Sequence, residues 1–380
     1  MSKKKIKLVI LVNDLSFFYS HRLPIAEAAK DNSYNVLVGY GEHGGVNPKT
    51  LEKKGFSLCL VPMERGSTNI IKNMKSFFYI WRFFKRERPD IVHLITIKPY
   101  LFGGIIARLI GIPFVVSAVS GLGTLFVHKD LKSRFLRALV YPMYKSAFKH
   151  LNQVVIFQNK DDAKKLVNWG VVNSKKIKLI KGSGVRLENF TNLNENKGIP
   201  VVCFASRLLV DKGVYEFISA AKLIKKKDIK AKFCLAGDLD EKNPTGLTKN
   251  DLDKIKHEGF VKILGYQKDI PKLFANSNII CLPSYREGFP KTLMEAAAAT
   301  RAVITTNVPG CRDAIIPNKT GLLVPVKNSQ ALANAIEDLI KNSKKRLNMG
   351  KAGRKLAERE FAIEKIVNAH IKIYESLHLK

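Results

Sequence analysis

Ser284-Tyr285-Arg286-Glu287-Gly288-Phe289-Pro290-Lys291-Thr292-Leu293-Met294-Glu295 follows directly on the apolar run Ile279-Ile280-Cys281-Leu282-Pro283. The run has the length and composition of a buried parallel strand. A polar turn comes next, then a proline suited to a helix start, then Thr292 to Ala299, rich in helix formers. Strand, turn and helix therefore meet where an open α/β sheet binds ligands, outside the carboxyl ends of its strands. Glu287 falls in the turn, and Glu295 about one and a half turns into the helix. The amides of the first helical turn and the positive end of the helix dipole point between them. Amides suit a phosphate and carboxylates suit neutral hydroxyls, a pairing that fits a sugar nucleotide. Two glutamates at this spacing arise by chance in many helical proteins. Their place after a buried strand, the first in a Gly-Phe-Pro turn, gives them more weight.

The stretch from Leu282 through Glu295 resembles the E-x7-E signature of retaining glycosyltransferases of family 4, which have the GT-B fold. Arg301-Ala302-Val303-Ile304-Thr305-Thr306-Asn307-Val308-Pro309-Gly310-Cys311-Arg312-Asp313 and Thr320-Gly321-Leu322-Leu323-Val324-Pro325 resemble the same family. Thr300 departs from it, standing where relatives usually carry glycine, a change expected to touch only the local turn. The implied fold is α/β GT-B: two Rossmann-like domains with doubly wound parallel sheets facing a central cleft. Residues 1–186 would form the acceptor domain, 187–357 the nucleotide-sugar domain, and 358–380 a helix crossing back to the first domain.

A chain of 380 residues is long enough for two such cores. The formal net charge of +33 is far from ordinary, and residues 1–186 hold 32 Lys+Arg against 11 Asp+Glu. A uniform compositional bias therefore explains the excess only in part, and anionic membrane, anionic substrate or nucleic acid become the partner classes to weigh. No zinc spacing, RNA-binding aromatic motif or helix-turn-helix signature supports specific nucleic-acid binding. The cysteines at 59, 203, 234, 281 and 311 lack metal or redox spacing and read as reduced thiols of a cytoplasmic protein. Lys3-Lys4-Lys5 before Ile6 to Val12 imitates a signal peptide, but Lys7 and the abrupt Asn13-Asp14 end favour a first strand. Leu101 to Val127 carries Arg108 as its only charge up to that point, and Pro113 with several glycines breaks it into helix, turn and strand rather than a membrane span.

Strand-like Lys7–Val12, Tyr34–Gly39, Val92–Leu94, Phe114–Ala118 and Val154–Phe157 alternate with helical segments, the pattern of a doubly wound sheet. Pro89-Asp90-Ile91-Val92-His93, Ser117 to Gly123 and Ile156-Phe157-Gln158-Asn159 resemble a subgroup that builds bacterial surface polysaccharides, capsule or O-antigen, on a lipid carrier. Phe17-Phe18-Tyr19-Ser20-His21-Arg22 stands where many relatives have a glycine pair, and Ser120 where many have histidine. By resemblance His21, Arg22, His93, Ser120 and Gly121 are the acceptor-side candidates. His21 and Arg22 could equally cap the following helix.

In the second half, Pro200 to Ser206 reads as a strand, and Arg207 and Lys212 fall on the strand-to-helix loop after it. Like charges at a helix N-terminus oppose its dipole and want an anion between them. The resemblance makes them the pair that neutralises the donor diphosphate. It gives Glu287 the donor-sugar hydroxyls and Glu295 the ribose hydroxyls, with Gly288, Phe289, Pro290, Lys291 and Thr292 lending amides. Leu264 and Tyr266 flank the strip that reads the base. Asp238-Leu239-Asp240 has an Asp-x-Asp pattern but reads as a polar loop, so no metal or other cofactor is expected. Retention follows from the resemblance, as does proton transfer from acceptor to the departing phosphate. The partners the resemblance implies are a nucleotide sugar, UDP-linked, an anionic membrane surface, and a polyprenyl-diphosphate-linked glycan. A GT-B-fold sugar-nucleotide epimerase, a phosphorylase, and a non-catalytic polyanion- or membrane-binding protein are the competing readings.

Ile70 to Arg88 interleaves Trp81 and other aromatics with Arg82 and further basic residues, and Leu131 to His150 sets Leu131, Phe135, Leu139 and Met143 near one face with Lys132, Arg134, Arg137 and Lys145 elsewhere. Such segments either pack on their own sheet or lie in an anionic bilayer interface. Acidic partners are scarce, Glu87 and Asp130 being those in or beside the runs. The expectation is peripheral attachment at the inner face of the cytoplasmic membrane.

Overall fold

The computed structural model describes residues 5–64, 69–123, 126, 131–191, 194–241 and 243–378. The chain divides into two compact units, one of residues 1–183 with 364–380 and the other of residues 184–363.

In the first unit the strands are β1 (Lys7–Asp14), β2 (Asn35–Glu42), β3 (Ser57–Leu60), β4 (Ile91–Ile95), β5 (Phe114–Val119), β6 (Gln153–Phe157) and β7 (Ile177–Leu179). They pair in the order β3-β2-β1-β4-β5-β6-β7, always parallel. Strand alternation sorts the apolar side chains onto two faces. Val9, Leu11, Val92, Leu94 and Val115 enter one core, while Leu8, Ile10, Ile91, Ile95 and Val116 enter the other. Because helices cover both faces, the strands read as continuous apolar runs rather than alternating ones. The second core also takes Ile366, Ile371, Ile373, Tyr374 and Leu377 from the helix Ile363–His378, which is how the end of the chain joins this unit.

The second unit repeats the plan. Its strands β8 (Val201–Ala205), β9 (Lys232–Ala236), β10 (Lys262–Gly265), β11 (Ile279–Leu282), β12 (Ala302–Thr306) and β13 (Gly321–Val324) run in the order β10-β9-β8-β11-β12-β13, again parallel. Strand order reverses between β1 and β4 and between β8 and β11. Crossovers leave these two points in opposite directions, so the loops there part and leave room for a ligand.

Each strand expected from the sequence is present, with ends that shift by at most three residues. Within Leu101 to Val127 the described residues form part of a π-helical turn at Pro99–Gly103, a helix at Gly104–Leu109 and β5, residues 124, 125 and 127 lying outside the description. No described helix is long and apolar enough to cross a membrane. Thr300 has a backbone φ of 61°, in the left-handed region, which explains why glycine suits that position. Its hydroxyl is buried without a hydrogen-bond partner among the described residues.

Candidate functional site

The site is assembled from the loops after β8 and β11. After β8 the chain passes Arg207, makes a 3-10 turn at Val210–Lys212 and enters the helix Val214–Lys226. Gly213 holds the junction with φ of 78°, and a Cβ there would stand 2.3 Å from the Pro283 carbonyl oxygen. The backbones of the two loops therefore touch, and only glycine fits both the dihedral and the gap. Two hydrogen bonds lock the contact: the Asp211 carbonyl accepts from the Tyr285 amide at 2.9 Å and from Ser284 Oγ at 3.1 Å. From the far side, β12 supports the same turn, with Thr305 Oγ1 donating to the Leu282 carbonyl at 2.7 Å and Thr306 Oγ1 donating to that of Ser284. Gly310, φ 81°, backs the turn so closely that a Cβ would lie 2.6 Å from the carbonyl oxygens of Glu287 and Gly288.

This scaffold brings Lys212 and Glu287 together. Lys212 Nζ donates to Glu287 Oε1, with the two side chains 17% and 11% exposed. Arg207, more open, donates through Nη1 to Asp240 Oδ2. The helix Lys291–Ala298 begins after Pro290 with no side chain capping its amides. Its first turn is tied to the end of β8 by Thr292 Oγ1, which donates to the Ala205 carbonyl at 2.8 Å. Glu295 is half-buried on that helix, its side chain 15% exposed. Desolvation raises its pKa, opposed by Lys291, whose Nζ lies 3.5 Å from Oε1. Phe289 faces inward and packs edge-on against Phe361 at 5.5 Å between centroids, so it supports the turn by packing. Tyr266 is 67% exposed, and the Leu264 carbonyl accepts from Gln267 Nε2 at 2.8 Å.

Asp240 is the partner that sequence reasoning missed. The Asp-x-Asp pattern drew attention as a possible chelate, whereas the carboxylate closes on Arg207. Its loop is fixed against the β8 loop: Leu208 N donates to the Asp238 carbonyl at 3.0 Å and Val210 N to that of Thr245 at 2.8 Å.

In the first unit, Arg22 and Ser120 meet at the carboxyl ends of β1 and β5, Arg22 Nη2 lying 3.4 Å from Ser120 Oγ. Arg22 stands just ahead of the helix Leu23–Asp31 without a side-chain cap bond, so the capping role is not the one its guanidinium plays. His21 stacks on Phe17 at 4.4 Å, with Nδ1 2.7 Å from Ser20 Oγ. Ser120 and Gly121 are half-exposed. His93 is fully buried, its Nδ1 2.7 Å from the Tyr374 hydroxyl, so it fastens the C-terminal helix to β4 rather than facing a ligand in this arrangement.

Two helices of this unit leave apolar side chains in water. Ile70–Glu87 buries Ile80, Phe83 and Phe84 but exposes Ile70, Ile71, Met74 and Phe78. Leu131–Ala147 exposes Leu131, Phe135, Leu136 and Leu139, Phe135 at 74%. Both pack against the segment Pro99–Leu109. Arg82, Arg134 and Lys145 are exposed and Arg137 is half-exposed; the Lys132 side chain lies outside the described residues. Trp81 is half-buried, with Lys85 Nζ 4.6 Å from its ring centroid, so the aliphatic residues and Phe78, not Trp81, carry the exposed apolar surface.

Residues 185–356 match the family model described as glycosyl transferases group 1, and residues 7–159 match one described as glycosyl transferase 4-like. The chain belongs to this glycosyltransferase family and has its GT-B fold. It is 32% identical over 347 residues to the N,N'-diacetylbacillosaminyl-diphospho-undecaprenol alpha-1,3-N-acetylgalactosaminyltransferase of Campylobacter jejuni, covering 88% of this chain and 89% of that one. It is 27% identical to the UDP-Gal:alpha-D-GlcNAc-diphosphoundecaprenol alpha-1,3-galactosyltransferase of Escherichia coli, over 73% of each chain. Among solved structures, the sucrose-phosphate synthase of Thermosynechococcus elongatus superposes with a TM-score of 0.80 at 19% identity, covering 99% of this chain and 100% of that one.

Proposed function

We propose that the chain moves a hexose or N-acetylhexosamine from a nucleotide sugar, UDP-linked, to a sugar on a polyprenyl diphosphate, with retention of anomeric configuration and without a metal ion. The observation that carries the donor half is the pairing of Lys212 with Glu287 at the β8/β11 reversal, beside the uncapped start of the helix Lys291–Ala298. A departing nucleoside diphosphate gathers negative charge, and preset cations and amides aimed at it lower the barrier most in a partly dry site. Arg207 and Lys212 supply the cations, and the backbone from Gly288 to Thr292 supplies the dipole. Glu287 then takes donor-sugar hydroxyls and Glu295 the ribose. Asp240, engaged by Arg207, is better placed as its counter-ion than as a metal ligand. Leu264 and Tyr266 border the base.

The lipid-diphosphate acceptor is favoured by the names of the two relatives above, which act on diphosphoundecaprenol-linked sugars. His21, Arg22, Ser120 and Gly121 are the acceptor-side groups in this reading. The helices Ile70–Glu87 and Leu131–Ala147 rest their exposed apolar side chains in an anionic bilayer surface, guided by Arg82, Lys132, Arg134, Arg137 and Lys145. That puts the protein on the cytoplasmic face of its membrane, where surface polysaccharides begin.

The test is turnover of UDP-, GDP- and dTDP-sugars in EDTA, with and without a polyprenyl-diphosphate-sugar extract, followed by NMR of the product's anomeric proton. One donor whose consumption rises with the lipid, giving the donor's own anomeric configuration, supports the reading. Turnover that requires an added divalent cation, or an inverted product, refutes the corresponding part.

A further inference from the structure

Arg22 is 2% exposed, yet no carboxylate among the described residues pairs with it. Its guanidinium contacts the His21 carbonyl and the Ser120 hydroxyl, both at 3.4 Å, and a Phe17 ring face at 5.9 Å. Nε is buried with no hydrogen-bond partner among the described residues. Taking a guanidinium out of water without an anion is strongly unfavourable. Burial lowers its pKa only to about 10, so the group stays charged at neutral pH.

The surroundings deepen the anomaly. His93 and His370 lie ring to ring at 5.6 Å, and burial together with Arg22 holds both far below the usual imidazole range. The Nδ1 of His370 faces the Ile366 carbonyl at 2.8 Å and must donate, leaving Nε2 as an unprotonated acceptor. Nε2 of each histidine is buried without a hydrogen-bond partner among the described residues. The fold therefore carries a fixed positive charge at the carboxyl ends of β1 and β5, next to the β1/β4 reversal, with no carboxylate among the described residues paired to it. The guanidinium lies one side chain below the surface, since the Ser120 hydroxyl it touches and the His21 ring beside it are half-exposed.

We infer that Arg22, with the Ser120 hydroxyl, forms an anion site in the first unit that takes a diphosphate group. Within the glycosyl-transfer reading, on which this rests, the group is the diphosphate joining acceptor sugar to lipid. Arg22 is then a binding residue that carries an electrostatic cost in the free protein, as functional groups commonly do. A free diphosphate has the same chemistry, and the experiment separates the two.

Farnesyl diphosphate and inorganic pyrophosphate are titrated calorimetrically into the full chain with the nucleotide site saturated by UDP, for wild type, Arg22→Met and Arg22→Lys. A lost charge-assisted contact to phosphate should weaken binding by about thirtyfold in Arg22→Met, with part retained in Arg22→Lys. UDP affinity should not change. Without ligand, Arg22→Met should unfold at an equal or higher denaturant concentration than wild type, because an unpaired buried charge has been removed. Loss of farnesyl diphosphate binding assigns the lipid source, and loss confined to pyrophosphate assigns the free ion. Unchanged binding of both, or an Arg22→Met chain less stable than wild type, overturns the site and makes Arg22 structural. Failure of wild type to bind UDP would count against the donor reading instead.

Discussion

The Lys212–Glu287 pair allows a double-mutant cycle in which stability and activity must respond differently. With side chains 17% and 11% exposed, the pair lies between a surface bridge and a fully buried one. Lys212→Ala leaves the Glu287 carboxylate partly dry and unpaired, and Glu287→Ala does the same to the ammonium. Each single change should cost about 1–3 kcal/mol, the scale for an unsatisfied polar or charged group, below the roughly 3–5 kcal/mol of a fully buried pair. The double variant leaves neither charge stranded, so it should cost no more than the worse single change, giving a coupling at least as large as the smaller single cost, about 1–3 kcal/mol. Urea unfolding of the free protein at constant m measures this. In the proposed transfer reaction, by contrast, both groups would face substrate, and each single variant should lose about 2–3 kcal/mol of transition-state stabilisation, a drop in kcat/KM of roughly 30- to 150-fold. Additive stabilities would refute the pairing, and near-wild-type rates in either variant would refute its place in the chemistry.

Thr300→Gly should stabilise the protein by about 1 kcal/mol, since it relieves a β-branched residue at φ 61° and removes a buried orphan hydroxyl; thermal unfolding checks it. His93 and His370 are held neutral by burial, His370 with a pKa near 3, whereas the unfolded chain protonates both near about 6.5. The unfolded state then binds more protons below that pH, so stability is full above it and falls on acidification, approaching about 2.7 kcal/mol per pH unit, and His370→Gln should halve the slope. Replacing Arg134, Arg137 and Lys145 by Glu should release the chain from anionic vesicles in a flotation assay, with urea stability unchanged; retained flotation would leave those residues without a membrane role.

How far the sequence reaches depends on the range of the contact. The run Ile279–Leu282 and the helix formers after Pro290 are local signals, and so are the apolar runs of β1, β4 and β5. These suffice for two doubly wound sheets. Short β3 is an edge strand whose four residues are partly exposed, too weak a pattern to stand out. β12 and β13 were visible only as motif residues. Contacts between distant segments left no trace to read: His93 meets Tyr374 across 281 positions, and Arg207 finds Asp240 through two loops zipped by backbone bonds. The helical period of Leu131, Phe135 and Leu139 was plain, but whether that face packs on the sheet or meets solvent is a tertiary fact. All three are exposed. Trp81 shows the converse, an aromatic expected outside that the fold half-buries under Lys85.

The most direct measurement is single-turnover sugar transfer in EDTA to a polyprenyl-diphosphate-linked acceptor, comparing wild type with Lys212→Ala at matched folded concentrations. Transfer by wild type and a fall of roughly 30-fold or more in the variant is the expected result. Equal rates, or no transfer by wild type from any nucleotide sugar, would contradict the account.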